Sequence, residues 1–207
     1  MLEDGALPQE VDAAMTAYGF AMGPFAVNDL AGLDITYANQ RRLDATRDPQ
    51  ERYVDLPDKL YEMGRLGQKT GAGWYRYEEG NRKPIPDSEV EEMVLAASRE
   101  KGITRRVFSQ EEIQRRALTA LANEGARILE EGIAARSVDI DMVWIHGYGF
   151  PAHQGGPMFW ADARGLDKLL ADIETYAKDD PNSWQPAPLL ERLAKEGGSF
   201  KEWSESK

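Results

Sequence analysis

A chain of 207 residues, 42% of them hydrophobic, is long enough for one large or two small domains with buried cores. Its 36 acidic and 25 basic residues give a net charge of −11, which disfavours nucleic acid and anionic membranes as partners, because the few arginine pairs stand isolated among acids. The absence of cysteine excludes disulfides, thiolate metal sites and cysteine nucleophiles, and it fits a cytoplasmic location.

No apolar run approaches the ~20 residues that cross a membrane, and the first residues lack the basic and then apolar pattern of a signal peptide. We therefore expect a soluble protein.

Helical spacing of apolar side chains predicts a helix over Pro8–Tyr18. Pro24 is expected to open a second helix, because its missing amide would be unpaired at that position anyway. Gly32 interrupts this segment before another helical face follows. Asp29 and Asp34 are predicted to cap helix starts by accepting hydrogen bonds from backbone amides.

The stretch 44–55 is charged and predicted to be irregular, and a short helix follows it. The glycine cluster 64–73 contains Lys-Thr, which suggests a phosphate-binding loop. Such a loop needs glycine immediately before Lys-Thr, and Gln68 stands there, so a structural turn is favoured. The alternating aromatics of 74–77 suggest a short strand or extended edge.

Glycine, asparagine and proline make 78–86 the best domain boundary. A helix is predicted from Asp87 or Ser88 to about Gly102. Ser109 and Glu112 then form a capping box that opens the longest helix, which ends near Glu131. These features predict two domains, 1–86 and 87–207.

An internal repeat supports two domains. The skeleton of 23–34, with Gly-Pro, Asp and Gly-Leu-Asp, returns at 156–167 with a constant offset of 133. The offset also relates Leu56, Leu60 and Gly64 to Leu189, Leu193 and Gly197, while Asp139 and Asp141 stand where Asp12 does. We predict two tandem copies of one small helical domain. A long helix precedes the second copy only, so we expect the chain to be part of a larger protein.

His146 and His153 are the only histidines. A metal site with Asp139, Asp141 or Asp162 is disfavoured, because seven residues separate the histidines across glycines. A triad with Ser137 lacks a nucleophile elbow, and a histidine general base stays a minor alternative to structural hydrogen bonding. The large side chains of this half, Trp144, Met158, Phe159, Trp160 and Trp184, are predicted to lie in the core.

The motifs Gly19 to Phe25, Asp29, Gly32 to Asp34 and Gly64 to Tyr75 together resemble the carboxy-terminal domain of 3-hydroxyacyl-CoA dehydrogenases. The later motifs, Asn123-Glu124, Asp139 to Asp141, Gly147 to Pro151 and Gly155 to Met158, look like the last domain of multifunctional fatty-acid β-oxidation enzymes. The resemblance covers nearly the whole chain.

This resemblance implies an all-α fold like the carboxy-terminal domain of 6-phosphogluconate dehydrogenase. It also implies NAD-dependent oxidation of (3S)-3-hydroxyacyl-CoA, often fused to an enoyl-CoA hydratase/isomerase. The family's Rossmann domain, NAD loop and catalytic His-Glu pair match no residues here, so the resemblance implies no catalytic, cofactor or metal residue in this chain. Met22, Gly23, Pro24 and Phe25 match the loop that faces the acyl-CoA substrate.

In this family the helical domains close the acyl-CoA cleft and make domain or subunit contacts. The partners implied are the upstream domains, a second copy of the protein, or a thiolase. Two alternatives remain open, namely a stand-alone interaction or acyl-CoA-binding module and, more remotely, a metal-dependent hydrolase.

Overall fold

In a computed structural model of the chain, the structure describes residues 1–47 and 52–206. These residues form eleven α-helices and no strand, which confirms the predicted all-α class. The α-helices are α1 Pro8–Tyr18, α2 Pro24–Ala31, α3 Leu33–Leu43, α4 Leu56–Glu62, α5 Ser88–Glu100, α6 Gln110–Glu130, α7 Ser137–Gly147, α8 Pro157–Arg164, α9 Leu166–Tyr176, α10 Pro188–Glu196 and α11 Phe200–Glu205. Single 3-10 turns lie at Gln68–Thr70 and Ala152–Gln154. The middle of the irregular stretch predicted for 44–55 lies outside the described residues.

The helix boundaries follow the proline and glycine signals. The helix α1 has the predicted limits, and α2 begins at Pro24. The Ser109 hydroxyl accepts the Glu112 amide at 3.2 Å, as a capping serine should. Of the short strand or extended edge predicted for 74–77, the structure has isolated bridges at Arg76. This residue bridges to Ala72 and to Ile85, the latter through two backbone hydrogen bonds of 2.9 and 3.0 Å.

The described chain divides into two compact units. Unit 1 comprises residues 1–17 and 22–113, and unit 2 comprises 18–21 and 114–207. The predicted boundary between residues 86 and 87 therefore falls inside unit 1.

The residues between the two boundaries belong to unit 1 because α5 packs into its core. Val90, Val94 and Ala97 are buried there. Ser98 on the same helix donates a hydrogen bond to the Glu3 carbonyl at 2.8 Å. Burial of this face assigns α5 to unit 1. The composition of 78–86 predicts a boundary before α5, but the packing of the helix against the unit 1 core outweighs it.

Each unit has a separate hydrophobic core. In unit 1 the fully buried leucines are Leu33, Leu56 and Leu60. In unit 2 the core comprises the inner faces of α6 to α11, with Leu129, Met158, Leu169, Ile173, Leu189, Leu190 and Phe200 fully buried. The repeat-related leucines 56, 60, 189 and 193 are thus all core residues.

One contact recurs inside both units. The first amides of α2 are accepted by Asp12 of α1, at 2.9 Å from Phe25 and 2.9 Å from Ala26. The first amides of α8 are accepted by Asp141 of α7, at 2.7 Å from Met158 and 3.2 Å from Phe159. Asp141, rather than Asp139, is therefore the residue of unit 2 that corresponds to Asp12.

Candidate functional site

The four residues predicted to face substrate form the loop that leads into α2. Met22 is 37% exposed and Pro24 is exposed, whereas Gly23 is buried and Phe25 is half-buried. The Phe25 ring meets the buried Trp74 ring edge-on, with centroids 4.7 Å apart. Met22 and Pro24 are therefore available for contact, and Gly23 and Phe25 hold the loop in place.

Gly23 is needed because Asp12 approaches the backbone very closely. A Cβ atom added to Gly23 would lie 2.3 Å from the Asp12 Cβ. The Asp12 carboxylate also accepts the Tyr75 hydroxyl at 2.8 Å, so one acid joins α1, the α2 start and the aromatic segment. Burial raises the pKa of Asp12 against the opposing effect of these hydrogen bonds, and burial together with the Asp12 charge raises the pKa of Tyr75.

Asp29 makes a second clamp at the end of α2. Its carboxylate accepts the amides of Trp74 at 2.8 Å and Tyr75 at 3.0 Å, and the Tyr77 hydroxyl at 2.9 Å. Burial raises the pKa of Asp29 despite these donors. The cap predicted for Asp29 at a helix start is therefore wrong, because it caps an extended segment 45 residues away.

Asp34 also differs from its prediction. It lies in the first turn of α3 but pairs with Lys69, at 2.5 Å between Oδ1 and Nζ. The lysine hydrogen bond lowers the pKa of Asp34. Its main contact is this ion pair with the glycine cluster rather than a side-chain cap.

An exposed apolar surface continues from the loop along α2 and α3. It comprises Met22, Val27, Leu30 and Ile35, the last three being 44%, 52% and 55% exposed. Single exposed apolar residues are ordinary, but several large ones on consecutive elements favour a contact surface. We call these four residues the α2–α3 surface.

The glycine cluster 64–73 is a structural turn. A Cβ atom on Gly67 would lie 2.2 Å from the Asp29 carbonyl oxygen, and one on Gly73 would lie 2.0 Å from Asp29 Oδ1. The Thr70 hydroxyl accepts the Leu66 amide at 2.9 Å. Because Lys69 and Thr70 are engaged within unit 1, this loop does not fit a dinucleotide pyrophosphate, and neither does the start of α2, whose first amides Asp12 accepts.

The two histidines do not form a site with the acids around them. His146 and His153 are both exposed, and the Nε2 atom of His153 lies 3.4 Å from Gln154 Nε2. Over residues 1–47 and 52–206, no group of three or more histidine and acidic side chains is placed to hold a metal ion. Ser137 lies in the first turn of α7, and its amide donates to the Ser204 hydroxyl at 3.0 Å. These contacts support structural roles.

The aromatic residues of unit 2 behave as predicted with one exception. Met158 is fully buried, and Trp144, Trp160 and Trp184 pack against the core. Phe159 was predicted to be buried and is 57% exposed, because the adjacent Met158 occupies the inward position on α8.

The family model described as "3-hydroxyacyl-CoA dehydrogenase, C-terminal domain" matches residues 1–77 and 113–202. The chain belongs to this family. Among named relatives, the peroxisomal bifunctional enzymes of Danio rerio and Homo sapiens are each 40% identical, over 99% and 98% of the chain. The chain spans 31% and 30% of the lengths of these relatives.

Two solved structures are also similar to the chain. The dehydrogenase part of multifunctional enzyme 1 from Caenorhabditis elegans matches 91% of the chain and 42% of its own, with a TM-score of 0.70 and 27% identity. The 3-hydroxybutyryl-CoA dehydrogenase of Escherichia coli K12 matches 94% of the chain and 56% of its own, with a TM-score of 0.71. At 20% identity this second match shows the fold alone.

Across the described residues, no helix combines the length and apolar character required to cross a membrane. The closely related enzymes that carry compartment names are called peroxisomal.

The loop 22–25 was predicted from the sequence, whereas the acids and phenols that hold it were not. The repeat gave one signal for Asp12, since an aspartate precedes both Gly-Pro motifs. No comparable signal links Asp29 to the distant Trp74 and Tyr75 amides.

Proposed function

We propose that this chain is the helical C-terminal part of an NAD-dependent 3-hydroxyacyl-CoA dehydrogenase that oxidises (3S)-3-hydroxyacyl-CoA to 3-oxoacyl-CoA. The observation that carries the proposal is the 40% identity with peroxisomal bifunctional enzymes over nearly the whole chain. NAD supplies the hydride acceptor, and it is bound outside this fragment, together with the catalytic pair. The chain divides into two copies of one helical domain, for which the paired Asp12 and Asp141 contacts are support.

In this proposal the chain's own residues bind and exclude water rather than transfer protons. Met22 and Pro24 contact the acyl group, and the α2–α3 surface closes the acyl-CoA cleft or makes domain contacts. The two aspartate clamps keep the loop in one conformation, which reduces the entropy that substrate binding must overcome.

The name "bifunctional" on the relatives supports a hydratase/isomerase activity elsewhere in the same longer protein. A homodimer or a thiolase is the further partner we propose, since exposed apolar residues remain on α2 and α3. For the compartment, the lack of cysteine supports the cytoplasm and the relatives' names support the peroxisome; a fluorescent fusion of the longer protein distinguishes the two.

The first test asks whether the chain is catalytic alone. Incubating it with acetoacetyl-CoA and NADH should give no loss of NADH absorbance, because in this proposal the NAD site and the catalytic pair lie outside the chain. Steady, enzyme-dependent loss would contradict the assignment of catalysis to other domains. Saturable binding of acyl-CoA by the chain alone would instead favour the stand-alone binding module.

The second test addresses the loop in the longer protein. Met22→Ala should raise KM severalfold with little change in kcat, because a contact made equally in ground and transition states affects only binding. Met63→Ala is the matched control, since Met63 is 48% exposed at the end of α4. Equal effects of the two substitutions would contradict a substrate contact at Met22.

A further inference from the structure

Unit 2 contains a cavity of about 320 Å³ that the proposed dehydrogenase function does not use. It lies where the α8–α9 junction meets the turn between α10 and α11. Six of its lining residues carry the argument, namely Asp162, Gly165, Asp167, Gly198, Ser199 and Glu202. Three carboxylates therefore surround a space large enough for a long side chain.

The walls of this cavity match a site in unit 1. Gly32 and Gly165 adopt nearly the same conformation at the two helix junctions, with φ, ψ of 105°, 128° and 96°, 126°. The aspartate two residues after each glycine is placed in the same way. Asp34 Oδ1 and Asp167 Oδ1 would lie 2.6 and 2.7 Å from a Cβ atom added to the respective glycine.

The acids before the junction also correspond. Asp162 accepts the amides of Phe200 at 2.8 Å and Lys201 at 3.0 Å. This repeats the two amide contacts that Asp29 makes in unit 1. Because both oxygens of Asp162 are used in this way, Asp167 and Glu202 are the acids left to meet a ligand.

In unit 1 the corresponding space is filled by the chain itself. Residues 63–73 connect α4 to Trp74, and they bring Lys69 to Asp34 at 2.5 Å. The Leu66 carbonyl accepts the Leu33 amide at 3.3 Å beside the same junction. The lysine is thus presented by a 3-10 turn, Gln68–Thr70, within a glycine-rich segment that also pairs through its backbone.

In unit 2 only residues 197–199 connect α10 to α11, and this short link contains no lysine. Within the part of the chain that the structure describes, Asp167 forms no ion pair. Glu202 reinforces the negative charge while it accepts the Ser199 hydroxyl at 2.9 Å. The cavity therefore has the shape and charge of the unit 1 site without its lysine.

We propose that this cavity binds a lysine side chain carried on a glycine-rich turn of another polypeptide. The ammonium group pairs with Asp167 as Lys69 pairs with Asp34, and Glu202 adds attraction at the rim. A partner segment of the kind seen at 64–73 supplies both the lysine and a narrow backbone.

The test measures the binding of a labelled peptide to this chain by fluorescence anisotropy. The peptide has the sequence of the chain from Gly64 to Gly71. Saturable binding is expected, and Lys69→Gln in the peptide should weaken it by about fivefold or more, as the loss of a partly enclosed ion pair would. Asp167→Asn in the chain should weaken the lysine peptide to the same degree.

Glu174→Gln is the matched control, because it removes one negative charge from an exposed position on the same helix. It should change the affinity by less than about twofold, and far-ultraviolet circular dichroism checks that both variants fold. Absence of saturable binding, or equal binding of the two peptides, would overturn the proposal. Butylamine that binds as tightly as the peptide would also overturn it, since the site would then take a small amine.

Discussion

Single aspartates carry much of the architecture, and their environments differ between the units. Asp12 accepts two amides and a tyrosine hydroxyl, whereas Asp141 accepts the Met158 and Phe159 amides. Burial, with a smaller contribution from the charge of Asp162, raises the pKa of Asp141 to about 6. The pKa of Asp141 therefore lies in a pH range in which the stability of the protein is easily measured.

This shift predicts a pH-dependent stability. The folded state holds the Asp141 proton more tightly than the unfolded state, so its contribution to the free energy of unfolding falls as pH rises from about 4 to about 6. The slope for one proton is at most about 1.4 kcal/mol per pH unit. Urea unfolding of the protein and of Asp141→Asn at several pH values measures the difference, which should decrease across this window and then level off. A difference that is constant with pH would contradict the shift.

A second residue-scale prediction concerns Gly23. Gly23→Ala should lower the free energy of unfolding by about 1–3 kcal/mol, because the added methyl group overlaps Asp12. Gly147→Ala is the control, since its Cβ meets nothing within 4 Å. Chemical denaturation of the two variants gives the comparison, and equal stabilities would show that the Asp12 contact relaxes freely.

The helix α5 is held to the rest of unit 1 by contacts at its first turn. The Asp87 side chain caps it by accepting the Glu89 amide at 3.1 Å, and the same carboxylate pairs with the largely buried Arg65 at 2.6 Å. The Arg65 Nε also donates to the Gly73 carbonyl at 3.0 Å. Asp87 therefore joins α5 to the glycine turn.

We expect Asp87→Ala to lower the free energy of unfolding by about 2–4 kcal/mol, because it removes a cap and leaves Arg65 without its nearest buried partner. The rate of amide hydrogen exchange should rise more in α5 than in the other helices. The matched substitution Asp179→Ala, at a position 74% exposed, should have almost no effect. If both variants were equally stable, the cap and ion pair would contribute nothing net.

At the scale of the whole chain, two cores that share no residue predict two cooperative regions. Leu60→Ala removes a fully buried side chain from unit 1, and Leu169→Ala does the same in unit 2. Each should cost about 2–5 kcal/mol within its own unit.

Hydrogen exchange read by mass spectrometry tests this. Leu60→Ala should reduce protection in α1 to α5, and Leu169→Ala should reduce it in α7 to α11. Loss of protection across both units in either variant would mean that the chain unfolds as one cooperative body.

The helix limits were predictable from the sequence by itself because proline and glycine act locally. Pro24 lacks an amide, and Gly32 and Gly165 have φ of about 105° and 96°, which disfavour other residues. The repeat and the family resemblance were also readable, because both depend only on the order of residues.

The tertiary structure alone decided which groups these elements bring together. Asp29 meets amides 45 residues away, α5 joins unit 1, and the cavity beside Asp167 is open because only three residues link α10 to α11. Such contacts depend on how distant segments pack, and the local preferences of a carboxylate are satisfied equally well by a nearby helix start or a remote backbone.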